Sequence, residues 1–236
     1  MFKAILFDLD GTLLDINMDF FLKKYFQKMI TMADDYGYRN ANKLVEHIFT
    51  STGVMISNRN PGTSNKEVFM SDFINKLDYH LEDIERFFNQ FYTVGFPQLK
   101  YYCRPFPGIP EMMNRIINQG IKVIIATNAV FPKIAIEQRL EWAGLGNFDY
   151  ELITSYENMH FCKPHIEYYK EIIDFIKIDP EECLMVGNDT GEDLPAGEIG
   201  IKTFLVEDRL IDNGAEFIPD WQGSLNDLFN FTRRLG

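Results

Sequence analysis

Residues 5–15 read ILFDLDGTLLD, and they place Asp8 and Asp10 at the end of the apolar run Ile5-Leu6-Phe7. Two residues apart on an extended strand, the two carboxylates share a face. Three other short apolar runs are followed by groups of complementary chemistry: Thr127-Asn128, Lys163-Pro164 and the loop GNDTGED, which carries Asp189 and Asp193. In an open α/β sheet, ligands bind beyond the carboxyl ends of the strands, so these groups converge on one crevice. Two unit charges about 4 Å apart repel by roughly 4 kcal/mol at an effective dielectric near 20. Four carboxylates offset by Lys163 alone therefore call for a hard divalent cation, and an all-oxygen donor set is Mg²⁺ chemistry. One carboxylate of the pair can bind the metal and attack phosphorus. The other can protonate the leaving oxygen and then activate water. The Thr127 hydroxyl suits phosphoryl oxygens, and Lys163 suits the charge that develops on them.

Such a crevice needs a buried parallel sheet to hold it. Continuous apolar runs at 3–8, 122–127, 151–154, 183–187 and 202–206 suit strands covered on both faces. Helical patterns alternate with them: IPEMMNRIINQG, FPKIAIEQRLEWAG, HIEYYKEIIDFI and EDLPAGEIG. The alternation predicts a doubly wound, Rossmann-like α/β core over residues 1–15 and 101–236. Residues 16–100 differ, because apolar residues recur there at helical spacing and no strand run interrupts them. They predict an inserted all-helical domain. Ser64 with Glu67 reads as a capping box opening a helix through EVFMSDFINKL. The aromatics of this insert, among them Phe20, Phe21, Tyr25, Phe26, Phe87, Phe88, Phe91 and Tyr92, are expected to form its core.

Taken together, DLDGT, Thr127, Lys163-Pro164 and GNDTGED resemble, in order, the four motifs of the haloacid dehalogenase-like hydrolase superfamily, and FPGIPEMMNRIINQGIKVIIATNA resembles the family's approach to its second motif. The resemblance implies that Asp8 is the nucleophile, forming an aspartyl-phosphate and binding Mg²⁺ through its other oxygen. It implies that Asp10 is the general acid/base, with its backbone carbonyl on the metal. Thr127, with Asn128 beside it, would bind phosphate, and Lys163 would hold Asp8 and the phosphoryl group. Asp189 would ligate Mg²⁺, with Asp193 a further or outer acid. Many relatives have Gly-Asp where this chain reads Gly187-Asn188-Asp189. The helical insert resembles the family's mobile cap.

These readings predict a Mg²⁺-dependent phosphatase acting on a small phosphorylated metabolite. A phosphomutase would share every core motif and differ in its cap. A dehalogenase does not need the second aspartate, so Asp10 argues against it. A phosphonate-cleaving enzyme would need a cap lysine such as Lys23, Lys24 or Lys28, which ordinary surface lysines explain. Intact catalytic motifs weigh against a non-catalytic binding protein. In the polar stretch ISNRNPGTSNKE, residues 56–67, Arg59 is expected to recognise the leaving group. His160, Cys162 and His165 match no zinc spacing and are read as structural.

Composition sets outer bounds. With 23 basic and 35 acidic residues the formal charge is -12, which disfavours nucleic acid and anionic membranes as partners. Three widely spaced cysteines and the lack of a signal-like or membrane-length apolar run predict a reduced, cytoplasmic protein. Oligomeric state is left open.

Overall fold

The computed structural model describes residues 1–38, 40–76 and 80–235. Strand β1 (Ala4–Phe7) is wholly buried, as its unbroken apolar sequence requires. After β1 the chain forms β2 (Leu14–Ile16), then four helices: α1 (Met18–Asp35), α2 (Ala41–Ser57), α3 (Asn65–Ile74) and α4 (Leu81–Gln90). A π turn and a 3₁₀ segment lead to β3 (Cys103–Pro105). The rest alternates: α5 (Ile109–Asn118), β4 (Lys122–Ile125), α6 (Lys133–Trp142), β5 (Leu152–Ile153), α7 (Ile166–Ile176), β6 (Cys183–Gly187), β7 (Lys202–Val206), β8 (Trp221–Gly223) and α8 (Leu225–Thr232).

Six strands form one parallel sheet in the order β5-β4-β1-β6-β7-β8. Strand β1 sits between β4 and β6, in register Phe7↔Ile125 and Phe7↔Val186. The predicted doubly wound sheet is therefore present, with all five expected strands. Alternate residues of β1 serve opposite faces. Ile5 and Phe7 pack with Met112, Ile136 and Leu228 from α5, α6 and α8. Ala4 and Leu6 pack with Tyr168 and Ile172 from α7. The edge strand β8 was not foreseen, because its sequence WQG is short and its Trp221 and Gln222 are exposed. The expected helix at EDLPAGEIG is a six-residue 3₁₀ helix, Leu194–Ile199.

The insert is helical as predicted, and its flanks are zipped together. β2 pairs antiparallel with β3, Leu14 opposite Pro105 and Ile16 opposite Cys103. The expected boundary at residues 15 and 16 falls inside this ribbon. The Ser64–Glu67 capping box forms, with the Ser64 N–H donating to the Glu67 carboxylate at 2.7 Å. Helix α3 ends at Ile74, and Leu77 of the expected helix lies outside the described residues. The aromatic core of the insert does not close on itself. Phe21 and Phe96 pack against Trp142 of α6, so helical segment and sheet layer share one hydrophobic cluster. Among the described residues, no helix is long and apolar enough to cross a membrane.

Candidate active site

The carboxyl ends of β1, β4 and β6 open into a cavity of about 230 Å³ whose lining includes Asp8, Asp10, Thr127, Asn128, Asn188, Asp189, Glu192 and Asp193. Asp8 follows β1 directly, and its backbone N–H continues the ladder onto Val186 at 2.9 Å. Gly11 then turns the chain with φ +87°, and a Cβ there would come within 2.6 Å of Asn188 Nδ2. That turn brings the next hydroxyl, Thr12, onto Asn188 Oδ1 at 2.8 Å.

Lys163 is fully buried and bridges two acids. Its Nζ donates to Asp8 Oδ1 at 3.0 Å and to Asp193 Oδ1 at 2.6 Å. Asp193 can approach this closely because residue 187 is glycine: a Cβ there would meet the Asp193 carboxylate at about 2.0 Å. The other Asp193 oxygen accepts the Asp189 N–H at 2.9 Å. Both Asp193 oxygens are thus occupied within the protein. Asp189 turns its Oδ1 to the N–H groups of Gly191 (2.7 Å) and Glu192 (3.0 Å) and to Asn213 Nδ2 (3.2 Å). Asn188 donates from Nδ2 to the Arg209 carbonyl at 2.7 Å. Its side chain is consumed in holding the loop, whereas the Asp189 bonds given above all fall on Oδ1.

Thr127 lies at the cavity wall, and its carbonyl accepts from Thr154 Oγ1 and the Tyr168 hydroxyl, each at 2.8 Å. Asn128 lines the cavity too, but its amide is a tie: Oδ1 accepts the Lys163 N–H at 3.2 Å and Nδ2 donates to Glu192 Oε1 at 2.9 Å. Arg59 departs from expectation. It is absent from the cavity lining, and its guanidinium pairs with Glu167 and contacts His165 Nδ1 at 3.0 Å. The stretch 56–67 is stitched to the sheet layer rather than poised over the site. His165 Nε2 meets the Ile56 carbonyl at 2.7 Å, and buried Asn65 donates to the Ala129 and Phe161 carbonyls.

Two residues that the sequence did not single out complete the site. Arg139, wholly buried on α6, pairs through Nη1 with Asp10 Oδ2 and lies 4.5 Å from the centroid of the Phe131 ring. Nothing in IEQRLEW distinguishes it from a surface arginine, since its partner is 129 positions away. Glu192 sits on the cavity wall beside Asp189 and Asp193. Its position in an acidic loop gave no separate signal.

Charge is out of balance here. Asp8, Asp10, Asp189, Glu192 and Asp193 line the cavity, and the buried cations that meet them are Lys163 and Arg139. Burial pushes Asp8 up to about 8; Lys163 opposes this, while Asp193 and Asp10 add to it. Burial likewise pushes Glu192 up to about 7, aided by Asp193 and Asp189. Lys163 is held well above its ordinary value: burial opposes its charge, but Asp193 and Asp8 prevail. Among the described residues no three acidic, histidine or cysteine side chains are drawn into a ready-made metal cage. The surplus negative charge nevertheless matches Mg²⁺, which takes one or two protein carboxylates and fills its remaining positions with water and substrate oxygens.

Known proteins share this arrangement of elements. The haloacid dehalogenase-like hydrolase family matches residues 2–199. A glyceraldehyde 3-phosphate phosphatase of Methanothermobacter thermautotrophicus is 27% identical, over 89% of this chain and 88% of its own. A pyrophosphatase, PpaX, of Oceanobacillus iheyensis is 26% identical, over 93% of this chain and 91% of its own. Among solved structures, a phosphatase of the same family from Thermococcus onnurineus superposes with a TM-score of 0.60 at 18% identity, covering 97% of each chain. The L-2-haloacid dehalogenase of Xanthobacter autotrophicus superposes with a TM-score of 0.59 at 16% identity, covering 100% of each, and at such identity the likeness is one of fold. Because the family match runs from β1 through the loop of Asp189 and Asp193, it takes in every carboxylate of the cavity, and the chain belongs to the haloacid dehalogenase-like hydrolases.

Proposed function

We propose that this hydrolase is a Mg²⁺-dependent phosphatase that cleaves a phosphate monoester of a small molecule through an aspartyl-phosphate on Asp8. The observation that carries the reading is the buried Asp8–Lys163–Asp193 chain at the floor of a cavity rich in carboxylates. Asp8 and Asp189, with the backbone oxygen of Asp10, would hold Mg²⁺, whose charge offsets the carboxylate surplus and that of the bound phosphoryl group. Asp193, with both oxygens engaged, positions Lys163 and the Asp189 backbone instead of binding metal.

Asp8 attacks phosphorus while the bond to the leaving oxygen breaks. Lys163 sits against the nucleophile, where it balances the charge of the transferring group. Asp10 delivers the proton to the leaving oxygen. Its Oδ2 is fixed by Arg139, whereas its Oδ1 is buried without a hydrogen-bond partner in the protein, so Oδ1 is the atom suited to carrying the proton. In the second half Asp10 takes a proton from water, the water attacks phosphorus, and the bond to Asp8 breaks to release inorganic phosphate. The Thr127 hydroxyl at the cavity wall serves the phosphoryl oxygens. The helices between β2 and β3 act as a cap, excluding bulk water during transfer. Phosphatase names among the relatives support this reading, and the second carboxylate, Asp10, favours it over dehalogenation.

The test is phosphate release from small phosphate esters, with Mg²⁺ and with chelator. Asp8→Asn is expected to lower kcat by about a thousandfold or more, and chelation to silence the parent enzyme. Release that persists in Asp8→Asn with the metal removed would overturn the assignment.

A further inference from the structure

A second cavity, of about 190 Å³, lies beneath the helical segment and is bounded by α1, α2, α3, the end of α4 and the loop at 130–132. It shares Met18, Val130 and Phe131 with the carboxylate cavity. Every side chain lining it is uncharged, and the wall is dominated by rings such as Phe26, Phe69 and Phe88. The Tyr25 and Tyr92 hydroxyls are bonded to each other at 2.8 Å, which uses one of their two O–H donors; with Thr52 and Tyr156 they are the few, neutral hydroxyls in an otherwise apolar wall. Of the cations near the lining residues in sequence, Lys24 lies by the rings of Phe20 and Tyr102, Lys133 pairs with Glu137 and Arg59 pairs with Glu167.

We propose that this cavity receives the organic part of the phosphate ester, and that this part is apolar: one aromatic ring or an alkyl chain of about six carbons. The inference rests on the carboxylate cavity being the phosphoryl site. Position and chemistry then converge. A group leaving from phosphorus at Asp8 passes Phe131, whose ring is backed by the buried guanidinium of Arg139, and enters the apolar space. In size, an engineered apolar cavity of about 150 Å³ accepts benzene, so about 190 Å³ accommodates a substituted ring. A polyol or a second phosphate would lose its hydration there and meet no charged partner.

The decisive experiment measures binding of non-hydrolysable phosphonates to the full chain by calorimetry in Mg²⁺ buffer: methyl-, hexyl-, phenyl- and 2,3-dihydroxypropylphosphonate. Each buried methylene is worth about fourfold in affinity. Hexyl- and phenylphosphonate are therefore expected to bind at least about tenfold more tightly than the other two. Phe49 lines the cavity at its outer side and is 55% exposed, so Phe49→Ala leaves the fold intact and should shrink the phenyl-to-methyl affinity ratio about threefold or more. Equal affinities, a preference for the dihydroxypropyl compound, or binding of none of the four would overturn the proposal. Phosphate release from the matching esters is followed in parallel. If the phosphonate ranking holds but no ester is hydrolysed, the apolar subsite stands and the phosphatase reading falls. If esters are hydrolysed without the ranking, the reverse is true.

Discussion

The cavity at the strand ends and the cavity beneath the helices meet at Met18, Val130 and Phe131, yet they are built in opposite ways. The first is assembled from residues at the ends of buried strands and just beyond them. Most of its polar side chains are held by hydrogen bonds, and buried ion pairs cross between elements far apart in sequence. The second is assembled from side chains on several helices and a loop, held mainly by packing, with one hydroxyl hydrogen bond between Tyr25 and Tyr92. Chemistry on phosphorus needs few groups at fixed positions, which strands pinned in register on both sides provide. Selection of an apolar group needs volume and dryness, which many interchangeable rings provide. The comparison suggests that substitutions in the first cavity are punished individually, while those in the second shift preference by degrees.

The largest effect is expected where the two cavities touch. Arg139→Met removes the partner of Asp10 and the cation behind Phe131, leaving a buried carboxylate uncompensated. Breaking a buried pair on one side costs about 3 kcal/mol or more, readable as a lower urea midpoint. Adding Asp10→Asn should recover part of that loss. A variant as stable as the parent would mean that the pair contributes nothing to the wall.

A smaller effect separates the two cavities by pH. Burial raises Asp8 to about 8 and Glu192 to about 7, above their ordinary values. Between pH 4.5 and those values the folded, metal-free chain keeps protons that the unfolded chain has released. The contribution of these two groups to stability is therefore fully present below about pH 4 and is lost as pH rises towards 8, while carboxylates held low by their partners, such as Asp72 and Glu167, act in the opposite sense. Mg²⁺ binding reverses this burden, so it should raise Tm by about 5 °C at pH 8 and by clearly less at pH 5.5. A shift independent of pH would break the link between the carboxylate surplus and the metal. The apolar cavity has no charged lining and adds nothing to this dependence.

The smallest effect is expected from Arg59→Ala. The Arg59–Glu167 pair is half-exposed and lies in neither cavity. Its loss should cost about 0.5 kcal/mol and leave turnover within about twofold, as checked by steady-state kinetics and thermal melts. A loss of turnover beyond tenfold would show that clasping residues 56–67 to the sheet layer governs the site.

What could be read from the sequence follows the same division. Asp8, Asp10, Thr127, Lys163, Asp189 and Asp193 stand out because a carboxylate or ammonium just past an apolar strand is costly without a purpose, and strand ends converge in any doubly wound sheet. The five apolar strands and the Ser64–Glu67 cap were legible for equally local reasons. Strand β8 was not, since an exposed edge carries no apolar run. Arg139 was hidden because a buried arginine and a surface arginine have the same helical spacing; only the approach of α6 to the end of β1 distinguishes them. Phe26, Phe88 and Tyr92, expected in the core of the insert, pack against that core and also line the apolar cavity. Helical periodicity says which side of a helix is apolar, not whether protein or ligand fills the space beside it. The sequence by itself thus determined the sheet, the insert and the candidate reacting groups, all of which rest on local pattern and on the cost of burying charge. Only the tertiary structure decided that Arg139 clamps Asp10, that Asp193 is spent on Lys163, that Arg59 faces Glu167 and that an apolar cavity adjoins the carboxylates. Each of these depends on distances between segments that are far apart along the chain.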